Sequence, residues 1–209
     1  MSTHVRPATA ADTSAAVAVL ARAFHDHPVY RYALPDEAGR RRRLPGLMQT
    51  MVVTMYGDAG PLDVAEEARS GAEPGAAGAP IIGAAAWHRP GHADPGAGRM
   101  LRGVLGMARA TRTRLGDWSR LGTAIEAARP EEPHWYLFHV GADPGHQARG
   151  VGSALVRRGL ERVDAEGLAA HLECAPDLVG YYARFGFAEV DALPLDGLDL
   201  VTMTRPARP

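Results

Sequence analysis

The chain has 209 residues, a formal net charge of −1 and 46% apolar residues, which suits a single domain spanning 1–209 with a sizeable core. A near-neutral balance argues against a dedicated nucleic-acid surface, which is normally strongly basic. All 23 basic residues are arginine; beside so much Ala, Gly and Pro this reads as codon bias, so arginine counts carry little functional meaning.

Cys174 is the one cysteine, which rules out an intrachain disulfide and suits a reducing cytosol. The N-terminal apolar stretch is broken by Asp12 and Arg22, so it does not read as a signal peptide. No run of about 18 uncharged apolar residues suggests a membrane span. These features place the protein in the cytoplasm, without a membrane partner.

In chain order, Val5 to Ala8 reads as a short strand, and Thr9 or Asp12 caps the helix after it. Val17, Leu20, Ala21 and Phe24 recur there at helical spacing. His25 to Pro28 interrupts that helix. A second runs from Asp36 to about Tyr56, with Leu44, Leu47, Met48, Met51 and Met55 on one stripe and Pro45 placed to split it. Leu62 to Ala65 is a candidate strand. Arg69 to Pro80 is turn-rich and reads as a mobile hairpin loop or short disordered insert. Ile81 to His88 is an apolar strand, Gly91 to Gly98 a loop, and helices follow over about Met100 to Arg114 and Trp118 to Ala128. Trp135 to Val140 is a strong strand. Arg149 to Ala165 is an amphipathic helix, Leu168 to Cys174 a strand, Leu178 to Phe185 a short helix closed by Gly186, and Leu198 to Thr204 a last strand. This order suggests an α/β (α+β) chain built on one mixed sheet flanked by helices.

The informative stretch is Trp135 to Val156, where a hydrophobic strand runs through a loop into a helix. Gly150 and Gly152 carry no side chain to block a phosphate, and both can turn successive N–H groups the same way. The helix behind them adds unpaired N–H groups and the positive end of its dipole. A pyrophosphate fits there without any lysine. A P-loop is excluded, since it needs a Gly-Lys-Ser/Thr ending. A dinucleotide fold fits poorly, because the motif lies late, holds two glycines and puts Ala148 out of register. An ordinary strand–turn–helix is the bland alternative.

The run Gln147-Ala148-Arg149-Gly150-Val151-Gly152 resembles the Q/R-x-x-G-x-G/A signature of GCN5-related N-acetyltransferases, the GNAT family. Val140-Gly141-Ala142 with Asp143-Pro144 and His146 matches the strand end and loop before that signature. Tyr181 to Phe187 resembles the family's Y-x-x-x-G-F segment, and Val5 to Asp12 resembles its start. The likeness is specific over about Trp135 to Val190 and loose over the first hundred residues; within the family the pattern sits near puromycin N-acetyltransferase-like members. It implies an acyl-CoA N-acyltransferase fold with a mostly antiparallel sheet, acetyl-CoA as cosubstrate and no metal, with the acetyl-CoA half at about 134–190. It further implies that Val140, Gly141 and Ala142 pair with the pantetheine arm, and that an N–H near Val140 polarises the thioester carbonyl. Gln147, Ala148, Arg149, Gly150, Val151, Gly152 and Ser153 would hold the pyrophosphate, and Tyr182 would protonate the departing thiolate. The family often has an Asn before the Tyr; here Asp177 lies nearest that slot.

For the acceptor side the resemblance points to Asp26, His27 and Tyr30 as substrate contacts and to Glu173 as a base acting through water. Trp87 and His88 end a strand that borders the same cleft. His139, on the cofactor strand, serves as a base if it faces the acceptor. The His25-Asp26-His27 run lacks a matched third ligand and is weak as a metal site. Cys174 reads as a small core residue, and Arg40 to Arg43 as a solvated helix face. The expected reaction is direct acetyl transfer from acetyl-CoA to the primary amine of a small molecule, an antibiotic among the candidates, by a monomer or homodimer. A protein acetyltransferase for lysine or N-terminal amines and a non-catalytic acyl-CoA sensor are the alternatives.

Overall fold

The computed structural model describes residues 3–67, 79–91, 97–111, 114–193, 195 and 197–208. Seven strands form one sheet: β1 (Thr3–Pro7), β2 (Leu62–Glu67), β3 (Ile81–His88), β4 (His134–Ala142), β5 (Ala169–Cys174), β6 (Ala188–Ala192) and β7 (Val201–Arg205). Their order is β1-β2-β3-β4-β5-β7-β6. Only β4 and β5 run parallel; the other pairs are antiparallel.

Two apolar clusters cover the two faces. The front carries α1 (Thr13–Ala23), α2 (Pro28–Ala33), α3 (Glu37–Met48) and the pair α4 (Ala97–Thr111) and α5 (Leu115–Ala127) inserted between β3 and β4. The back carries α6 (Val151–Ala165) and α7 (Val179–Ala183). β5 shows the alternation that makes this possible: Ala170, Leu172 and Cys174 enter the back core, while His171 and Glu173 meet Tyr136 in front.

β4 breaks that alternation. Its pairing with β3 shifts by one between Ala86 and Trp87, opposite His139 and Leu137. The extra residue, Phe138, is a β-bulge. Leu137 faces the back core, yet Phe138 and His139 both pack in front, against Tyr56 and Tyr30 respectively. The bulge is thus what turns His139 toward the α1 side.

Several elements differ from the sequence expectation. Pro28 opens the short helix α2 inside the stretch expected only to interrupt α1, since proline suits a first helical position. Pro45 lies within α3 without ending it; its ring costs one backbone bond, but Leu44, Leu47 and Met48 beside it are at most 1% exposed. The helix then widens over Gln49–Met55, where the Tyr56 N–H reaches back five residues to Met51 O at 3.3 Å. α4 starts at Ala97, inside the expected 91–98 loop. Most of the Arg69 to Pro80 stretch lies outside the described residues.

Helix α6 is anchored to the sheet by charge. Arg162 donates to both carboxylate oxygens of Asp63 on β2 at 2.7 and 2.6 Å. Asp63 is fully buried, so removing its partner strands a charge in the core. Arg162→Ala should lower stability by about 3 kcal/mol in urea unfolding; an unchanged midpoint would refute the anchor.

Candidate active site

Parallel strands β4 and β5 pair at His134–Ala169, Trp135–Ala170 and Tyr136–His171. Beyond Tyr136 they separate, although β4 runs on to Ala142 and β5 to Cys174. β4 stays paired with β3 along its other edge through Ala142, so the backbone from Leu137 to Ala142 faces the gap. A cavity of about 760 Å³ fills it, lined by Leu137 to Ala142 on one side and by Glu173 and Cys174 on the other.

At the back, the cavity ends on the turn into α6. Asp143 organises this turn: its carboxylate accepts from Gly145 N at 3.1 Å and from Arg22 of α1 at 2.8 and 2.6 Å. That arginine holds the Asp143 carboxyl below the ordinary range, against the effect of burial. Ala148 and Gly150 take left-handed backbone angles, φ 59° and 83°. Gly150 precedes the 15-residue helix α6 with no side-chain cap, so first-turn N–H groups are left for another acceptor. A Cβ at Gly150 would meet nothing within 4 Å, and one at Gly152 only the Tyr181 hydroxyl at 3.1 Å. The residues present therefore suit an anion such as a pyrophosphate. Gln147, Ala148, Gly150, Val151, Gly152 and Ser153 all line the cavity. Arg149 does not.

Tyr182, on α7, lines the cavity with Tyr181. Burial pushes its phenol well up, so it holds its proton at neutral pH. Tyr181 differs: its hydroxyl lies 3.4 Å from Ser153 Oγ, beside the α6 turn. Burial likewise pushes the Cys174 thiol up to about 12, and its Sγ rests 3.6 Å from Met203 Sδ. It is a buried thiol, poorly suited to attack.

At the front, two polar pairs border the gap. His139 Nε2 lies 2.5 Å from the Tyr30 hydroxyl, within a ring cluster that includes Phe24 and His27. Burial first, then His88 and His27, push His139 down to about 3. Burial pushes His27 down to about 4 despite nearby Asp177. The second pair is Glu173, whose Oε2 accepts from the Tyr136 hydroxyl at 2.5 Å. His171 Nε2 stands 3.3 Å from its other oxygen without hydrogen-bond alignment. The Arg129 guanidinium lies 4.0 Å above the Tyr136 ring. As a proton acceptor, Glu173 is better placed than His139, whose imidazole resists protonation.

Partly buried His27 and buried His139 predict a pH effect on stability. Unfolded, each titrates near 6.5; folded, only near 4 and 3. Below pH 6.5 the unfolded chain binds more protons, so stability present above that pH is lost as pH falls toward 4. Each histidine contributes a slope of up to about 1.4 kcal/mol per pH unit. Thermal midpoints flat from pH 7 to pH 5 would contradict this.

Three expected substrate contacts are placed differently. Trp87 lies on the back face, its indole packed where a Cβ at Gly159 of α6 would sit 2.2 Å away. Adjacent strand residues point to opposite faces, so Trp87 and His88 cannot both border the cleft. His88 faces front, but behind the rings of Tyr56, Tyr136 and Phe138. Asp26 is 81% exposed, pairing with His25 and Arg40. His27 and Tyr30 do line the cavity. Lining residues that the sequence pattern does not single out include Arg129, Tyr136 and the inward faces of α4 and α5. Among the described residues, no three His, Cys, Asp or Glu side chains are grouped to hold a metal.

A mixed seven-stranded sheet whose parallel pair parts over a helix N-terminus is the architecture of the acyl-CoA N-acyltransferases. Residues 89–187 match the acetyltransferase (GNAT) family. Over that stretch the chain is similar to the acetyl-CoA-dependent acyltransferases of that family. A solved structure from Corynebacterium glutamicum, described as histone acetyltransferase HPA2 and related acetyltransferase, is similar over 100% of this chain and 98% of its own, at 29% identity and TM-score 0.73. A GNAT family acetyltransferase from Brucella melitensis, solved with acetyl-CoA, is similar over 100% and 92%, at 19% identity and TM-score 0.51. The ribosomal-protein-S18-alanine N-acetyltransferase from Escherichia coli is similar over 100% and 96%, at 15% identity and TM-score 0.55.

Proposed function

We propose that this protein acetylates the primary amine of a small molecule, with acetyl-CoA seated through the gap between β4 and β5. The observation that carries this reading is that gap. One cavity joins an uncapped helix N-terminus at the back to a largely apolar chamber in front. A pyrophosphate on the Gln147 to Ser153 turn would place the pantetheine arm along Val140, Gly141 and Ala142. The thioester would then lie near Glu173 and Tyr182.

The chemistry needs little more. The amine nitrogen forms a bond to the acetyl carbon, the carbon–sulfur bond breaks, and a proton passes from nitrogen toward solvent or base. Tyr182 supplies a proton to the departing thiolate. Glu173 takes the acceptor's proton through water. A β4 N–H near Val140 stabilises charge on the carbonyl oxygen. Much of the rate comes from holding nitrogen and thioester in line.

The description of the Corynebacterium relative as a histone acetyltransferase makes a protein amine, such as that of lysine in a peptide, the competing acceptor. A groove for an extended peptide has to be open along its length; here α5 and the widened helix turn wall the front chamber. The test is thiol release from acetyl-CoA with a panel of small primary amines and a lysine-bearing peptide, with products identified by mass spectrometry. Acetylated small amines are expected. Acetylation of the peptide alone would overturn the reading.

A further inference from the structure

The front chamber also restricts which amines fit. Its far end is built from Met51 and Met55 of the widened turn, Met107 of α4, and Trp118, Leu121 and Ile125 of α5. Phe138, carried to this face by the bulge in β4, lines it as well. The two inserted helices therefore contribute Met107, Trp118, Leu121 and Ile125 as an apolar part of the cavity wall. Gly103 lets α4 approach closely: a Cβ there would lie 2.3 Å from Met55 Cγ. Glu126 and Arg129 also line the cavity, but they answer each other at 2.8 Å, and Arg129 lies over the ring of Tyr136, on the Glu173 side. The Tyr30 hydroxyl, 3.9 Å from Met51 Sδ, is already engaged with His139 Nε2, so a hydroxyl or second ammonium pushed between the methionines would lose water for little return.

We infer that the acceptor is an amine on an apolar skeleton about the size of an aromatic ring, its nitrogen toward Glu173 and its skeleton in the chamber walled by α4 and α5. This rests on the small-molecule reading above and narrows it. The polar and apolar groups are segregated as such a molecule requires. Glu173 and the Tyr136 hydroxyl sit where the strands part, and the thioethers and rings lie beyond. Three methionines in one wall give a surface that reshapes around different apolar outlines. The enzyme should therefore accept a range of such amines rather than one, while rejecting polar amines of equal size.

The experiment compares kcat/KM for 2-phenylethylamine, ethanolamine, spermidine and a lysine-bearing peptide. The parent enzyme and two variants at half-buried wall positions, Ile125→Gln and Met107→Gln, are assayed, with acetyl-CoA binding measured for each. The parent is expected to favour 2-phenylethylamine over ethanolamine by at least about 10-fold, and each variant to shrink that ratio about 10-fold, mainly through KM. Retained acetyl-CoA binding shows that a variant is folded. Ethanolamine or spermidine used as well as 2-phenylethylamine, or a ratio unmoved in both folded variants, would overturn the apolar chamber alone. Acetylation of the peptide with no small amine used would overturn both this inference and the reading beneath it.

Discussion

Tyr182→Phe should lower kcat by about 10²-fold or more while acetyl-CoA affinity stays near the parent value. The substitution keeps the ring, which packs edge-on to Tyr181 at 5.0 Å and Phe187 at 6.1 Å between centroids, so the back core survives. What it removes is one hydroxyl on the cavity wall. Burial keeps that phenol protonated, which is the state a proton donor must hold. Tyr181→Phe is the matched control. Its hydroxyl stands over Gly152 and Ser153, so its loss should act on acetyl-CoA binding more than on kcat. Pre-steady-state thiol release at saturating acetyl-CoA separates the two effects. A fully active Tyr182→Phe enzyme, or a loss confined to Tyr181→Phe, would remove Tyr182 from the reaction.

The proton acceptor follows the same logic. Glu173→Gln keeps the size of the side chain and the bond from the Tyr136 hydroxyl but removes the base. The rate should fall most at low pH, where less free amine is present, and recover partly as pH rises and the acceptor loses its proton unaided. His139→Ala should leave the shape of that pH profile unchanged, because a group held near pH 3 does not titrate in the working range. If the His139 variant instead reshaped the profile and the Glu173 variant did not, the two roles would have to be exchanged.

Much of the back half of the site was legible in the sequence. The Gln147 to Ser153 turn needs glycine for close approach and for positive φ, and those needs are local, so a single chain displays them. The front half depends on distant packing. Nothing along Ile81 to His88 says which face α6 will take, so Trp87 reads as a cleft residue until Gly159 of α6 is seen to receive its indole. His139 reaches the front only because Phe138 bulges from β4, and a bulge in a run of apolar residues leaves no mark in the pattern. The stripe through Met51 and Met55 looks the same whether it packs on a helix or walls a chamber. β6 was missed for the opposite reason. It is an edge strand exposed at every position, with Val190 at 62%, so it has no inward face to generate an alternating pattern.

The turn itself carries the other large effect expected. Gly152→Val should weaken acetyl-CoA binding by about 10²-fold, the loss of one or two charge-assisted hydrogen bonds. Gly152 lies within the first turn of α6 and has no left-handed angle to lose, so valine adds no backbone strain beyond its modest helix penalty. The Cβ would meet only the Tyr181 hydroxyl at 3.1 Å, a contact that a small ring shift relieves. The remaining bulk projects toward the space where the phosphate oxygens would face the helix N–H groups. Gly150 makes a complementary test. Its φ of 83° resists any side chain, and a Cβ there meets no protein atom. Gly150→Ala should therefore cost about 1 kcal/mol of stability as well as cofactor affinity. Titration calorimetry with CoA and thermal melts of both variants report the two effects separately. A folded Gly152→Val protein that binds CoA as tightly as the parent would show that the pyrophosphate does not rest on this turn.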